Sequence, residues 1–303
     1  MVDLSVDFAG VSLRNPVLLA SGTCNYGQEL LPLTDFAQLG GLVTKTITPQ
    51  PRGGNAPQRI IETPAGMLNS IGLQNPGLED FAGEKWAFLA GLDTQIVVNI
   101  AGFAVDEFGH MAARLEALEG IAALEVNISC PNVEAGGDSF ANKPQTAAAV
   151  IETVRNKTQR PIIAKLSPNV TDIAEIARAV VDAGADAVSL INTLIGMAID
   201  IERRQPILGN TTGGLSGPAI KPVALAMVWK VAQAVRVPVM GIGGIATAHD
   251  ALEFIVAGAS AVQVGTASFA NPNAGVEVAT GIQAYCDERG IDRVASLVGS
   301  LQP

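Results

Sequence analysis

The 303-residue sequence predicts a single (β/α)8 TIM barrel with an N-terminal β-hairpin and long active-site loops. Three observations point there. Short β-branched runs alternate with Ala-rich amphipathic stretches from end to end, the rhythm of a parallel sheet with crossover helices. Eight such runs occur with no linker or shift in composition between them, so residues 1–303 are expected to form one domain. Hydrophobic residues make up 48% of the chain and aromatics only 4%. Ala, Val, Ile and Leu must therefore fill the core, which suits a sheet buried on both faces. An open doubly wound sheet is the competing architecture.

Taken in order, Phe8–Gly10 lies between the short alternating segments Leu4–Val6 and Val11–Leu13, which predicts a hairpin closing the barrel bottom. Strands are expected at Val17–Ala20, Leu42–Ile47, Ile96–Ile100, Leu124–Ile128, Ile162–Leu166, Ala187–Ile191, Val237–Ile242 and Ala261–Val264. Helical periodicity covers Glu107–Leu118, Thr146–Lys157, Ile173–Asp182, Val223–Val235, Ala248–Ala257 and Val276–Asp287. Two connections, Pro49–Leu78 and Cys130–Pro144, show neither period. Loops of that length in a compact domain are usually binding elements or lids.

Lys and Arg number 19 against 29 Asp and Glu, a net charge of −10. An acidic surface repels phosphate backbones, so nucleic acid is not an expected partner. The apolar run Val237–Ala248 is broken by His249 and Asp250, short of the ~20 residues of a membrane span, so no membrane association is expected. The opening MVDLSVDFAG lacks the basic stretch of a signal peptide. Cys24, Cys130 and Cys286 show no close pairing and fit a reducing cytoplasm. Neither HExxH nor CxxC occurs, so no metal site is expected.

In a barrel of this kind chemistry sits at the C-terminal ends of the strands. Read in order, those ends carry Ser21-Gly22-Thr23, Lys45-Thr46, Asn99, Asn127 to Cys130, Lys165, Asn192-Thr193, Gly243-Gly244 and Gly265-Thr266. Singly, each Asn is a common turn residue; together they outline an amide-rich pocket with two cations. Gly241-Ile-Gly-Gly-Ile-Ala246 approaches the dinucleotide fingerprint but lacks the acidic residue about 20 positions on. Gly243-Gly244 and Gly265-Thr266 instead suit the phosphate site that barrels build after their seventh and eighth strands. Lys165 is open to two uses: a Schiff base, as in barrel aldolases, or a positive charge beside a flavin. Cys130, straight after the fourth strand and at the head of a long loop, is a candidate nucleophile or proton-transfer group, whereas Cys24 and Cys286 read as small buried hydrophobes.

The segments LASGT, GLVTKTIT, NSIGLQNPG, VVNIAG, EVNISCPN, IAKLSPN, INTLIGMAID, GGLSGPAIKPVAL, GIGGI and VQVGTA resemble dihydroorotate dehydrogenases along the whole chain. Cys130 in place of serine resembles the soluble class 1 enzymes, and GLQNPG with INTLIGMAID resembles the NAD-linked class 1B catalytic subunit. The resemblance implies one FMN per chain, contacted by Ser21, Lys45, Thr46, Asn99, Asn127, Lys165, Ile191, Gly217, Gly243, Gly244, Gly265 and Thr266. It implies dihydroorotate held by Lys45, Asn69, Ser70, Ile71, Gly72, Leu73, Asn127, Asn132, Asn192 and Thr193. Cys130 would take the C5 proton while C6 gives hydride to the flavin, and Lys165 would stabilise the reduced flavin's charge. Electrons would leave through a partner subunit carrying FAD and a [2Fe–2S] cluster, in a heterotetramer around a catalytic homodimer. Three alternatives stand beside this: a class 1A-like fumarate-dependent enzyme, a dihydropyrimidine dehydrogenase-like flavoenzyme, and a lyase using Lys165. A phosphate-binding barrel without catalysis would leave Cys130 unexplained.

Overall fold

In the computed structural model residues 2–129 and 139–302 are described. The chain opens with a hairpin, β1 (Val6–Phe8) and β2 (Val11–Leu13), turned through Ala9 and Gly10. Both turn residues have positive φ, +55° and +83°, the geometry of a two-residue turn that follows the strand twist. The first strand thus lies two residues later than the sequence reading put it, because Phe8 buries beside Val6 and does not join the turn.

Eight parallel strands close into a barrel. They are β3 (Val17–Leu19), β4 (Gly41–Val43), β7 (Gln95–Ile100), β8 (Ala123–Asn127), β9 (Ile162–Lys165), β10 (Ala187–Leu190), β15 (Val239–Ile242) and β16 (Ala261–Val264), in that order around the ring. All eight expected strands are present, and the open-sheet alternative is excluded by the closing pair β16–β3. Their residues are almost entirely buried, as the Val/Ile/Leu/Ala composition requires.

The helices on the outside begin where local chemistry starts them. Asp172 accepts from Ala174 N and Glu175 N ahead of the helix Ile173–Asp182, and Thr247 with Asp250 forms a capping box ahead of Ala248–Ala257. Two other helices start two residues before the apolar period does, at Pro144 and Lys221, since a proline fits the first turn, where its missing N–H is not needed. The helices Val105–Glu116 and Ala274–Arg289 complete this set. A further helical stretch, Leu78–Leu89, precedes β7 and was not expected; it is assembled from short pieces across a non-helical Gly83 (ψ −109°). The β3–β4 connection carries only the single turn Phe36–Gln38 among its helical residues.

The largest difference from expectation lies above the barrel. Pro49–Leu78 reads as irregular loop, yet it contains the hairpin β5 (Ile60–Thr63) and β6 (Gly66–Asn69). The β10–β15 connection supplies β11 (Leu194–Met197), β12 (Ile199–Asp200), β13 (Gln205–Pro206) and β14 (Thr212–Ser216). β12 and β13 pair with each other, while the rest form a four-stranded antiparallel sheet, β11-β14-β6-β5. Both connections leave the C-terminal ends of barrel strands, so this sheet belongs to the face where strand-end residues converge. The second long loop, Cys130–Pro144, is described only from Ser139; Cys130 and Asn132, with the rest of 130–138, lie outside the described residues.

Candidate active site

The mouth of the barrel is built on a charged layer that the sequence reading did not single out. Glu125, midway along β8, is fully buried. Its Oε2 accepts from Lys165 Nζ at 3.2 Å and from Asn99 Nδ2; its Oε1 accepts from Ser189 Oγ at 2.8 Å and Gln263 Nε2 at 2.8 Å. Strand register produces this convergence: Asn99 lies opposite Glu125, and Lys165 lies opposite both Asn127 and Ser189. An ionised carboxylate survives in an apolar interior only when paired and hydrogen-bonded, and this one is met by a cation and three neutral donors. The signal was present in the strand: Glu125 and Asn127 are two apart, hence on one face of an otherwise apolar run.

Above this layer the amides are already oriented. Asn127 Oδ1 accepts from Ser129 N (3.1 Å) and Asn192 Nδ2 (3.3 Å), so Nδ2 is the group it can offer a ligand. Asn99 has the opposite arrangement: Nδ2 is held by Glu125, and its buried Oδ1 has no partner among the described residues. The pair therefore presents a donor and an acceptor. Asn169, which the sequence reading passed over, clamps the next segment, donating to Thr193 O (3.0 Å) and accepting from Ile195 N (3.1 Å).

Asn69–Leu73 extends from the end of β6 and is held from below. Asn55 N donates to Ile71 O and Asn55 Nδ2 to Ser70 O, both at 2.9 Å, while Ser70 N donates to Arg59 O at 2.8 Å. Ser70 Oγ is buried without a partner among the described residues. Lys45 lies two residues past β4 and is half-buried. Burial, and then the nearby Arg59 guanidinium, hold its ammonium below the usual lysine pKa, a situation that an incoming anion would relieve.

On the other side of the mouth Gly217, Gly243, Gly244, Gly265 and Thr266 gather where β14, β15 and β16 end. Gly244 has φ +75°, and a Cβ there would come within 2.9 Å of Gly217 O and of Lys221 N. A Cβ on Gly217 would lie 2.6 Å from Gly66 Cα. Thr266 Oγ1 donates to Ser216 Oγ at 2.8 Å, and Ser21 and Thr46 hydroxyls approach to 3.4 Å. Ile191 is buried, and its backbone N–H bonds Ile242 O at 2.9 Å. This close backbone packing suits a bound phosphate, which needs exposed N–H groups and no intervening side chains.

Several other titratable groups among the described residues take structural places. Cys24 and Cys286 are buried, and burial pushes the Cys24 thiol up to about 12, so neither resembles a reactive thiolate. His249, Asp250 and Glu253 cluster on an outer helix, where Lys221 Nζ contacts Asp250 at 2.6 Å and Glu253 at 2.5 Å. No helix among the described residues is long and apolar enough to cross a membrane.

A closed parallel barrel with its polar groups collected at the strand C-termini places the molecule among the α/β-barrel enzymes. Within that class the chain belongs to the dihydroorotate dehydrogenase family, whose model matches residues 3–285. Three bacterial relatives bear the name dihydroorotate dehydrogenase B (NAD(+)), catalytic subunit. The protein of Geotalea uraniireducens is 56% identical over 99% of this chain and 98% of its own length. That of Desulforudis audaxviator is 56% identical over 99% and 97%, and that of Desulforamulus reducens 55% over 99% and 98%.

Proposed function

We propose that the chain is the catalytic subunit of an NAD-linked dihydroorotate dehydrogenase, oxidising (S)-dihydroorotate to orotate in pyrimidine biosynthesis with one FMN per chain. The observation that carries this reading is the donor–acceptor set above the Glu125 layer. Asn127 offers Nδ2, Asn99 offers a buried Oδ1 with no partner among the described residues, and Lys165 offers a fixed positive charge. An isoalloxazine edge and a pyrimidine ring both present alternating N–H and C=O groups that such amides can match. Gly217, Gly243, Gly244 and Gly265 keep the backbone there clear of side chains where a phosphate would lie, and residues 241–246 lack the acidic partner of a dinucleotide site, which supports FMN over a dinucleotide.

FMN, when bound, supplies the two-electron acceptor that no side chain can provide. The chain's own residues then divide the work. Gly243, Gly244, Gly265 and Thr266 hold the phosphate, with Ser21, Thr46, Gly217 and Ile191 along the cofactor. Lys45 meets the substrate carboxylate, while Asn69, Ser70, Ile71, Gly72, Leu73, Asn127, Asn132, Asn192 and Thr193 fix the ring. Cys130, at the head of its loop, takes the C5 proton. Lys165 donates to a carboxylate at 3.2 Å, which suits a placed charge and not the free amine that a Schiff-base lyase requires.

The relatives are named as catalytic subunits, which supports a partner. A [2Fe–2S] cluster usually takes four cysteines; this sequence has three, of which Cys24 and Cys286 are buried. We therefore assign FAD and the cluster to an electron-transfer subunit, in a cytoplasmic heterotetramer around a catalytic homodimer, with residues 1–303 as one FMN-binding barrel domain. The test is the visible spectrum: pure protein should be yellow with released FMN, and should bleach anaerobically on addition of dihydroorotate. Recovery of FAD, or failure to bleach, defeats the reading.

A further inference from the structure

Glu125 is more than the barrel needs for folding. Apolar side chains in place of both Glu125 and Lys165 would fill the same interior layer without desolvating any charge, and replacing a whole buried ion pair in this way is often neutral or stabilising. The donors around Glu125 come from four other strands: Asn99 on β7, Lys165 on β9, Ser189 on β10 and Gln263 on β16. Two of the four, Asn99 and Lys165, belong to the set that faces the ligand. Glu125 lies one inward position nearer the N-terminal end of β8 than Asn127, the register partner of Lys165. Its carboxylate therefore lies beneath the ammonium. One oxygen, Oε2, serves both Lys165 and Asn99. By taking Asn99 Nδ2 as its donor, it also decides which end of that amide remains for a ligand.

We propose that Glu125 is a positioning residue for the flavin: from beneath the site it fixes the Lys165 ammonium, turns the Asn99 carbonyl oxygen toward the ligand, and offsets part of the lysine's positive charge. The inference rests on the FMN reading above. A counter-charge under Lys165 disfavours the additional negative charge that reduction brings to the flavin, so Glu125 holds the flavin's midpoint potential down. This effect reaches beyond packing, because a neutral residue of the same shape would not produce it.

The test uses the FMN-loaded protein. Glu125→Gln keeps the volume and removes the charge; its midpoint potential should move positive relative to the parent. The Gln amide also brings its own N–H₂ against the surrounding donors, so Asn99 loses its fixed orientation. FMN affinity should fall by roughly ten- to a hundredfold, the worth of one charge-assisted hydrogen bond. Glu125→Asp keeps the charge but shortens the reach, so FMN should dissociate more readily while the potential stays near the parent's. A folded, FMN-loaded Glu125→Gln protein with an unchanged or more negative potential overturns the proposal. Should that variant not accumulate, parent-like FMN affinity in Glu125→Asp overturns it instead. A parent that takes up no FMN at all overturns the FMN reading and this inference with it, whereas a yellow parent with indifferent variants overturns this inference alone.

Discussion

Gly244→Ala should separate a conformational cost from a functional one. Gly244 has φ +75°, and its new methyl would meet Lys221 Cβ at 2.8 Å and Gly217 O and Lys221 N at 2.9 Å. Gly10, in the hairpin turn, has a similar φ of +83° but nothing within 4 Å of its missing Cβ. Gly10→Ala therefore measures the backbone term alone, about 1–2 kcal/mol for an L-residue in the left-handed region. Gly244→Ala carries the same term plus crowding, since all three contacts lie well inside the ~3.5–4.0 Å at which non-bonded atoms are comfortable. Two of those atoms are backbone and cannot rotate away; overpacking of this kind costs about 1–3 kcal/mol more. The expected total is roughly 2–5 kcal/mol in urea unfolding of the apo proteins. The yielding backbone is the proposed phosphate cradle, so FMN should also be lost on desalting from Gly244→Ala and retained by Gly10→Ala. A Gly244→Ala protein that unfolds with Gly10→Ala and keeps its FMN would refute the crowding argument and the cradle together.

Cys130→Ala should retain FMN and reduce it more slowly by roughly 10²–10⁴-fold in anaerobic stopped flow, the usual worth of a positioned proton-transfer group; near-parent reduction removes Cys130 from that role. Lys45 has a depressed pKa, so its amine is charged below that pKa and neutral above it, at a lower pH than for an exposed lysine. The Kd of orotate, read by flavin difference spectra, should therefore hold steady at low pH and rise as pH climbs through the Lys45 pKa, with the rise absent in Lys45→Met. By the same sign, burial of the cation costs stability at low pH and the cost fades as pH rises. Apo Lys45→Met should thus melt above the parent at neutral pH, and an equal or lower Tm contradicts the assignment. The isolated chain should not reduce NAD with dihydroorotate until the electron-transfer subunit is added; appreciable NAD reduction by the chain alone excludes a required partner, and efficient fumarate reduction assigns it to class 1A.

The barrel was legible in the sequence because each of its strands carries its own signal. Segments such as Val17–Leu19 are continuous apolar runs, the pattern of strands buried on both faces. The four-stranded sheet was illegible for the opposite reason. IIET and GMLN are short and only partly buried, and β6 gains its second neighbour from β14, with Asn69 opposite Gly214, 145 residues on. No local period reveals a pairing at that distance. The strand-end residues were found by position, since a barrel dictates where its polar groups must collect. Glu125, Ser189 and Gln263 were missed because they lie inside the runs, where the eye expects only core. The helical stretch before β7 was lost at Gly83, whose backbone interrupts the 3.6-residue period.

The antiparallel sheet over the mouth has a consequence for how this molecule can be altered. Its strands come from two different connections, each with its own antiparallel pair, and Leu68 pairs with both Ile61 and Leu215, so the two pairs are joined into one sheet through β6 and β14. Loops on a barrel are commonly treated as interchangeable parts, exchanged one at a time to create new specificities. Here the second and sixth connections are a single hereditary unit: a graft of either from another barrel would arrive without its hydrogen-bonding partner and expose a bare strand edge. Recombination that moves residues 60–69 and 194–216 together should yield folded chimaeras, and recombination between them should not.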